Sequence, residues 1–194
     1  RLATELGFKV PRFIVTNDVD RAAAFLDSNP RGTIIKVLGA PTIYNNERAA
    51  AFYTHLVTEK DREQLYSVRF GPTFLQEFVV KTMDVRVTVI GDKLFAVGID
   101  ATQSEDAHVD FRLAEVFDLP HRCLKLPRSI EDACFELVRK LDLKFGAIDL
   151  LLTADGEYIF LEINPNGQWL WIEWITGMPM TKAMCDLLSL RAGD

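Results

Sequence analysis

Residues 147–164 read AIDLLLTADGEYIFLEIN, and the way this stretch folds decides how the rest of the chain is read. Two apolar runs flank Asp155-Gly156, a pair that tolerates positive φ at both positions and is a strong short-range signal for a tight β-hairpin. With Asp155 and Gly156 as a two-residue loop, Ala154 pairs with Glu157, and counting outward sets Asp149 directly opposite Glu162. Asn164 lies two residues beyond Glu162 and shares its face. Two opposed carboxylates weaken a sheet, and a divalent cation between them would remove that penalty. Three hard oxygen donors suit Mg²⁺ and the phosphates it accompanies. The other reading of the same residues is an exposed strand face carrying scattered charge. A slip of one residue in register would turn Glu162 to the opposite face.

The 194 residues are 48% hydrophobic and 26% charged, enough for one sizeable domain or two small lobes. A formal net charge of −6 argues against broad nucleic-acid affinity. The cysteines, Cys123, Cys134 and Cys185, lack CxxC spacing, and an odd, scattered set points to reduced thiols and a cytoplasmic protein. No apolar run reaches the roughly 18 residues of a membrane span, so neither a membrane span nor a signal peptide is expected from these residues. His55, His108 and His121 show no metal-ligand spacing. The opening RLATELG reads as the last turns of a helix stopped by Gly7. A chain that opens inside a helix is expected to lack an N-terminal domain.

Between the ends, FKVPRFIVT (8–16) reads as an edge strand, where Pro11 is tolerated. Thr16-Asn17-Asp18 supplies N-cap candidates for a helix through Leu26. GTIIKVL (32–38) is a short buried strand holding Lys36, the stretch 47–57 has helical potential, and TFLQEFVV (73–80) is a strand. DVRVTVIGDKLFAVGID (84–100) is a second hairpin, with Gly91-Asp92 suited to a type II′ turn and Asp84, Arg86 and Thr88 on one face. Helical spacing covers 131–141. Pro179 starts a last helix with Met180, Ala183, Met184, Leu187 and Leu188 on its buried side. Trp169, Trp171 and Trp174 read as core or interface residues. Hairpins mixed with helices make the fold class α+β, without regular βαβ alternation. The expected boundary near residue 80 divides the chain into lobes 1–80 and 81–194.

GAIDLL (146–151) followed by LEINPNGQW (161–169) resembles the metal-binding end of ATP-grasp ligases. QEFVVKTMDVRVTVIGDKLFAV resembles the central segment of that fold as seen in the glutamate ligases that modify a ribosomal protein. NPNGQWLWIEWITGMPMTKAMCDLL is more similar still to the ATP-grasp maturases of microviridins and other graspetides. Those enzymes join side chains of a ribosomally made peptide by ester or amide links. The resemblance implies an ATP-grasp fold, two α+β lobes with Mg·ATP in a cleft between a lobe ending near residue 80 and the one after it. It also implies roles. Lys36 matches a lysine at the ATP phosphates. Gln76, Glu77, Phe78 and Val79 match the hinge strand that receives adenine by main-chain hydrogen bonds, and Asp84 matches a polar residue near the ribose. Arg112 in VDFRL matches an arginine at the phosphates and the reacting carboxylate. Arg86 stands where an arginine lines the acceptor side, and Asp149, Glu162 and Asn164 match the Mg²⁺ ligands. The glycine-rich phosphate loop of related ligases has no counterpart in GAPTIYNNERAAAFYT (39–54), where only Gly39 follows Lys36. A nest of amides on successive glycines is therefore not evident.

The chemistry these residues would serve is activation of a carboxylate. Transfer of the ATP γ-phosphoryl group makes an acyl phosphate, which a hydroxyl or amine then displaces. Such catalysis is mostly positioning and charge neutralisation, by the metal and by fixed Lys36 and Arg112. Three hypotheses follow. The first is a ligase that activates Glu or Asp side chains of a precursor peptide, leader plus core, and links them to Ser/Thr hydroxyls or Lys amines. The second is a ligase adding free amino acids to a protein or small-molecule carboxylate. The third is a non-catalytic nucleotide-binding scaffold, which the intact triad argues against. The Gln-Trp of NPNGQW favours the first. The resemblance leaves a homodimer open.

Overall fold

The structure, a computed structural model, describes residues 1–39, 42–45, 48–102, 104 and 107–189, with only the backbone for 42–45 and 48–51. In chain order the elements are α1 (Leu2–Glu5), β1 (Phe13–Thr16), α2 (Val19–Asp27), β2 (Thr33–Lys36), β3 (Thr42–Asn45), β4 (Arg48–Ala51), β5 (His55–Leu56), α3 (Glu59–Glu63) and β6 (Thr73–Glu77). They continue as β7 (Met83–Ile90), β8 (Lys93–Ile99), β9 (His121–Cys123), α4 (Arg128–Lys140), β10 (Phe145–Leu152), β11 (Tyr158–Asn164), α5 (Leu170–Thr176) and α6 (Met180–Ser189). Two compact units result. One comprises residues 1–10, 81–103 and 115–194, the other 11–80 and 104–114.

The larger unit is built on an antiparallel sheet of order β11-β10-β7-β8-β9. Side chains alternate between its faces. Met83, Val85, Val87 and Val89 of β7 join Ile148 and Leu150 of β10 on one face, packed with Ala133, Cys134, Leu137 and Val138 of α4. Fully burying each such aliphatic side chain contributes about 1.5–3 kcal/mol. On the opposite face Ile90 and Val97 pack with Ile172 of α5 and with Met180 and Ala183 of α6, alongside Trp169 and Trp171. The rest of that face carries the polar residues considered below.

The smaller unit holds a sheet of order β1-β6-β2-β5 with β1 at its edge. The edge strand expected over 8–16 is confined to Phe13–Thr16; Pro11 lies before it, and Lys9 bridges Ile159 of the larger unit's β11. Ala22 and Leu26 of α2 pack with Leu75 of β6 and with Val68. Asp18 caps α2 by accepting from the Arg21 amide.

The α+β class holds, and the differences from expectation are local. The stretch 47–57 is not a helix. Strand β4 pairs with β3 and β5 pairs with β2, so sheet partners remote in sequence override the helix propensity of the alanine run. Glu47 itself lies outside the described residues. The last helix begins at Met180, but Leu188 is 63% exposed and belongs to its outer side. The short helix α5 and the strand β9 carry too few periodic residues to be read in advance. Among the described residues no helix is long and apolar enough to cross a membrane.

Candidate functional site

The hairpin of β10 and β11 places Asp149 opposite Glu162, as counted from the sequence, but by a different route. The loop has three residues, not two. Thr153 and Glu157 close it, with Thr153 N donating to Glu157 O (3.0 Å) and Gly156 N to Thr153 O (3.0 Å). Only Gly156 has positive φ, +78°, the arrangement of a type I turn followed by a bulge glycine. The longer loop shifts the pairing, so that Leu150 faces Phe160. A β-bulge then leaves Leu161 unpaired and returns Asp149 to Glu162.

Strand β7 completes the row from the other side, because Arg86 pairs with Asp149. Three strands thus set Arg86, Asp149 and Glu162 side by side on one face. The Arg86 Nε donates to Asp149 Oδ1 at 2.6 Å, with the two side chains 14% and 21% exposed. Glu162 is exposed and has no ion-pair partner among the described residues. Asn164 stands one row on, opposite Ala147, which in turn pairs with Thr88. After Asn164 the segment PNGQ folds back over the sheet. Asn166 N donates to Asn164 Oδ1 (2.8 Å), and the Arg86 Nη1 donates to Gln168 O (3.3 Å). Gly167 approaches so closely that a Cβ there would lie 2.4 Å from the Ala147 Cβ. Thr88 is fully buried beneath this region, and its hydroxyl has no partner among the described residues.

The donor set fits a hard cation. Two carboxylates and an amide oxygen share one face, and no group of three or more His, Cys, Asp or Glu is present among the described residues. A Mg²⁺ ion is commonly held by one or two carboxylates, with water and phosphate oxygens completing its octahedron. The site therefore suits an ion that shares its ligands with a phosphate-bearing partner.

Asp84 lies two residues before Arg86 on the same face. Arg86 pairs across the strand with Asp149, and Asp84 takes Lys81 instead, with Nζ 2.7 Å from Oδ1 and 2.6 Å from Oδ2. Their side chains are only 5% and 11% exposed, so each charge depends on the other. Lys81 is a residue that the sequence reading missed. Its one signal was the i,i+3 spacing to Asp84 ahead of a strand.

The smaller unit places the remaining candidates. Lys36 ends β2 opposite Phe74 and is half-buried. Gln76 is buried in β6. The Glu77 amide donates to Arg12 O (2.9 Å), and its carboxylate accepts from the Arg12 amide and Nε (both 3.0 Å). The Phe78 amide donates to Gly32 O (3.0 Å). These amides are committed to the unit's own structure, whereas Val79 has no main-chain partner among the described residues.

Arg112 sits in a short 3₁₀ turn, Phe111–Leu113, capped by Asp110. Its Nε and Nη2 donate to the two oxygens of Asp110 at 2.8 and 2.6 Å. The Thr54 amide adds a third donor at 3.0 Å. Asp110 is buried and Arg112 half-exposed, so a buried carboxylate anchors a guanidinium that reaches the surface. Burial alone would raise the Asp110 pKa. The hydrogen bonds and charge of Arg112, with the amides of Thr54 and Arg112, outweigh it and hold the carboxyl at about 2.

A pH dependence follows. The folded state holds Asp110 near 2, below its ordinary value of 3.8, so the folded form binds fewer protons between those values. The contribution is present above the unfolded pKa and is lost as pH falls through the folded one. It amounts to about 2 kcal/mol. Urea unfolding from pH 6 down to pH 2 should show Asp110→Asn less stable than wild type by about that amount at pH 6, with the gap shrinking below pH 4. A gap independent of pH would show that the carboxylate charge is not what stabilises the turn.

No protein-family model and no curated protein matches the chain. Among solved structures it is similar to a Chryseobacterium gregarium RiPP-associated ATP-grasp ligase in complex with ADP and a leader and core peptide. That similarity has 30% identity and a TM-score of 0.90 over 98% of this chain and 57% of the other. It is also similar to the macrocyclase MdnC of Microcystis aeruginosa, bound with the precursor peptide MdnA, at 28% identity and a TM-score of 0.83 over 97% and 57%. The ATP-grasp ligase PsnB, complexed with a minimal precursor variant, Mg and ADP, shares the fold at 22% identity and a TM-score of 0.75, over 98% of this chain and 56% of PsnB. The chain has the ATP-grasp fold, and the resemblance read from its motifs holds: the structures it is similar to include a RiPP-associated ATP-grasp ligase and a macrocyclase, each bound to peptide. It spans a little over half of their length, 57% of the first two.

Proposed function

We propose that this chain is the nucleotide- and metal-binding part of an ADP-forming ligase that activates side-chain carboxylates of a ribosomally made precursor peptide. The observation that carries the reading is the row Arg86, Asp149 and Glu162 with Asn164 beside it, closed over by the NPNGQ segment. Asp149, Glu162 and Asn164 would hold Mg²⁺, which supplies neutralisation of phosphate charge when bound. Lys36 contacts phosphate oxygens, and the hinge strand 76–79 receives the adenine, with Val79 offering the uncommitted main-chain amide. Asp84, neutralised by Lys81, stands near the ribose. In domain terms, residues 1–80 are read as the central lobe and 81–194 as the C-terminal lobe, with 1–10 grouped in the larger compact unit and 104–114 in the smaller.

The reaction has two steps. A Glu or Asp carboxylate oxygen attacks the γ-phosphorus, the bond to the β-phosphate oxygen breaks, and ADP leaves. Arg112 stabilises the transferred phosphoryl group and the carboxylate that receives it. A Ser or Thr hydroxyl or a Lys amine then attacks the acyl carbon, loses its proton and expels phosphate. Arg86 lines the acceptor side. Each ester or amide link thus removes one water from the peptide.

Mass spectrometry of a precursor peptide incubated with the full chain, Mg²⁺ and ATP should show successive losses of one water, with ADP and phosphate formed in step. A mass gain equal to added amino acids would replace this reading with an amino-acid ligase. AMP and pyrophosphate as products would rule out the acyl phosphate.

A further inference from the structure

We infer that Arg86 is a built-in counter-ion that disfavours binding of free divalent metal at the nucleotide-free site, so that the ion is held only together with a polyphosphate. The inference rests on the reading of Asp149, Glu162 and Asn164 as the metal ligands. Opposed carboxylates in neighbouring strands repel, and a metal could relieve that repulsion. Here the relief is already present, because Arg86 flanks Asp149 in the same row and donates to it at 2.6 Å. The row Arg86, Asp149 and Glu162 carries a net charge of −1, where the carboxylates alone would carry −2.

Arg86 is also held in place. Its Nη1 donates to Gln168 O, and Gln168 follows Gly167, whose backbone rests against Ala147. Its side chain is 14% exposed, so solvent screens the charge only in part. A bare divalent ion entering beside Asp149 meets a fixed positive charge and one carboxylate whose charge is already balanced. An ion that arrives on a polyphosphate brings several negative charges, which offset the repulsion and give Arg86 a second partner. The device makes metal binding conditional on nucleotide.

The test is a Mn²⁺ titration of the full chain, followed by the electron paramagnetic resonance signal of free Mn²⁺, with and without ADP. Without ADP, Arg86→Met should bind Mn²⁺ at least about tenfold more tightly than wild type, because a unit charge a few ångströms from a divalent ion is removed. Arg86→Lys, which keeps the charge, should bind as weakly as wild type. With ADP the difference between Arg86→Met and wild type should narrow. If Arg86→Met does not fold by circular dichroism, Arg86→Gln takes its place with the same expected gain. Mn²⁺ bound with ADP by every variant, but no more tightly by the neutral variants when ADP is absent, would overturn the inference and leave the metal site standing. Failure of wild type to bind Mn²⁺ even with ADP would overturn the metal assignment and the inference together.

Discussion

Glu162→Gln in the full chain is expected to lower ligation by about 10²-fold or more while leaving the fold intact. Glu162 is the exposed carboxylate of the row, with no ion-pair partner among the described residues, so its charge is uncommitted before metal arrives. Gln keeps the shape and one oxygen but removes that charge, so the metal would be held by Asp149 and a weaker donor. The apo protein should melt no lower than wild type, since the change relieves repulsion with Asp149 and leaves the Arg86–Asp149 bond in place. Metal dependence separates the possible outcomes. A variant that regains turnover only at much higher Mg²⁺ has lost a ligand. One that keeps near wild-type turnover at ordinary Mg²⁺ would remove Glu162 from the site. A lower melting temperature with normal turnover would make it a structural strand residue.

Arg112→Ala is expected to have an effect of similar size by a different signature. Asp110 takes the Nε and Nη2 of Arg112, which fixes the plane of the guanidinium before any substrate binds. A charge fixed in this way acts without reorganisation when the phosphoryl group transfers, and losing one such group costs about 10²–10³-fold in kcat. If Arg112 acts mainly in the transition state, kcat and kcat/KM fall together and the KM for ATP stays nearly unchanged. Lysine should restore only part of the rate, because it cannot hold Asp110 with two donors and still present a planar face. A defect confined to the KM for ATP would show that Arg112 merely holds nucleotide, and unchanged kinetics would return it to the surface.

Much of the fold was legible because its signals are local. Two apolar runs around Asp155-Gly156 marked β10 and β11, Gly91-Asp92 marked the hairpin of β7 and β8, and Thr16-Asn17-Asp18 marked the start of α2. Gly91 has φ +60° while Asp92 does not have positive φ, the sign pattern of the type II′ turn read from the sequence. The alanine run near residue 50 misled because its local preference is helical, and only pairing with β3 reveals it as strand.

The candidate site divides along the same line. The chain order alone determined that Asp149 and Glu162 lie near each other across a hairpin, because a hairpin's partners are set by a few residues of turn. It did not determine how. A three-residue loop and a bulge at Leu161 offset each other by one residue each, and a bulge depends on packing that no short segment encodes. The partner of Arg86 was decided only by tertiary structure. On its own strand Asp84 is the near acid, but the pairing of β7 with β10 brings Asp149, 63 positions away, within 2.6 Å, and Lys81 claims Asp84. The bond between Arg112 and Asp110 is local and could have been read from DFR. The burial that makes Asp110 a strong anchor could not, because burial is a property of everything packed around a residue.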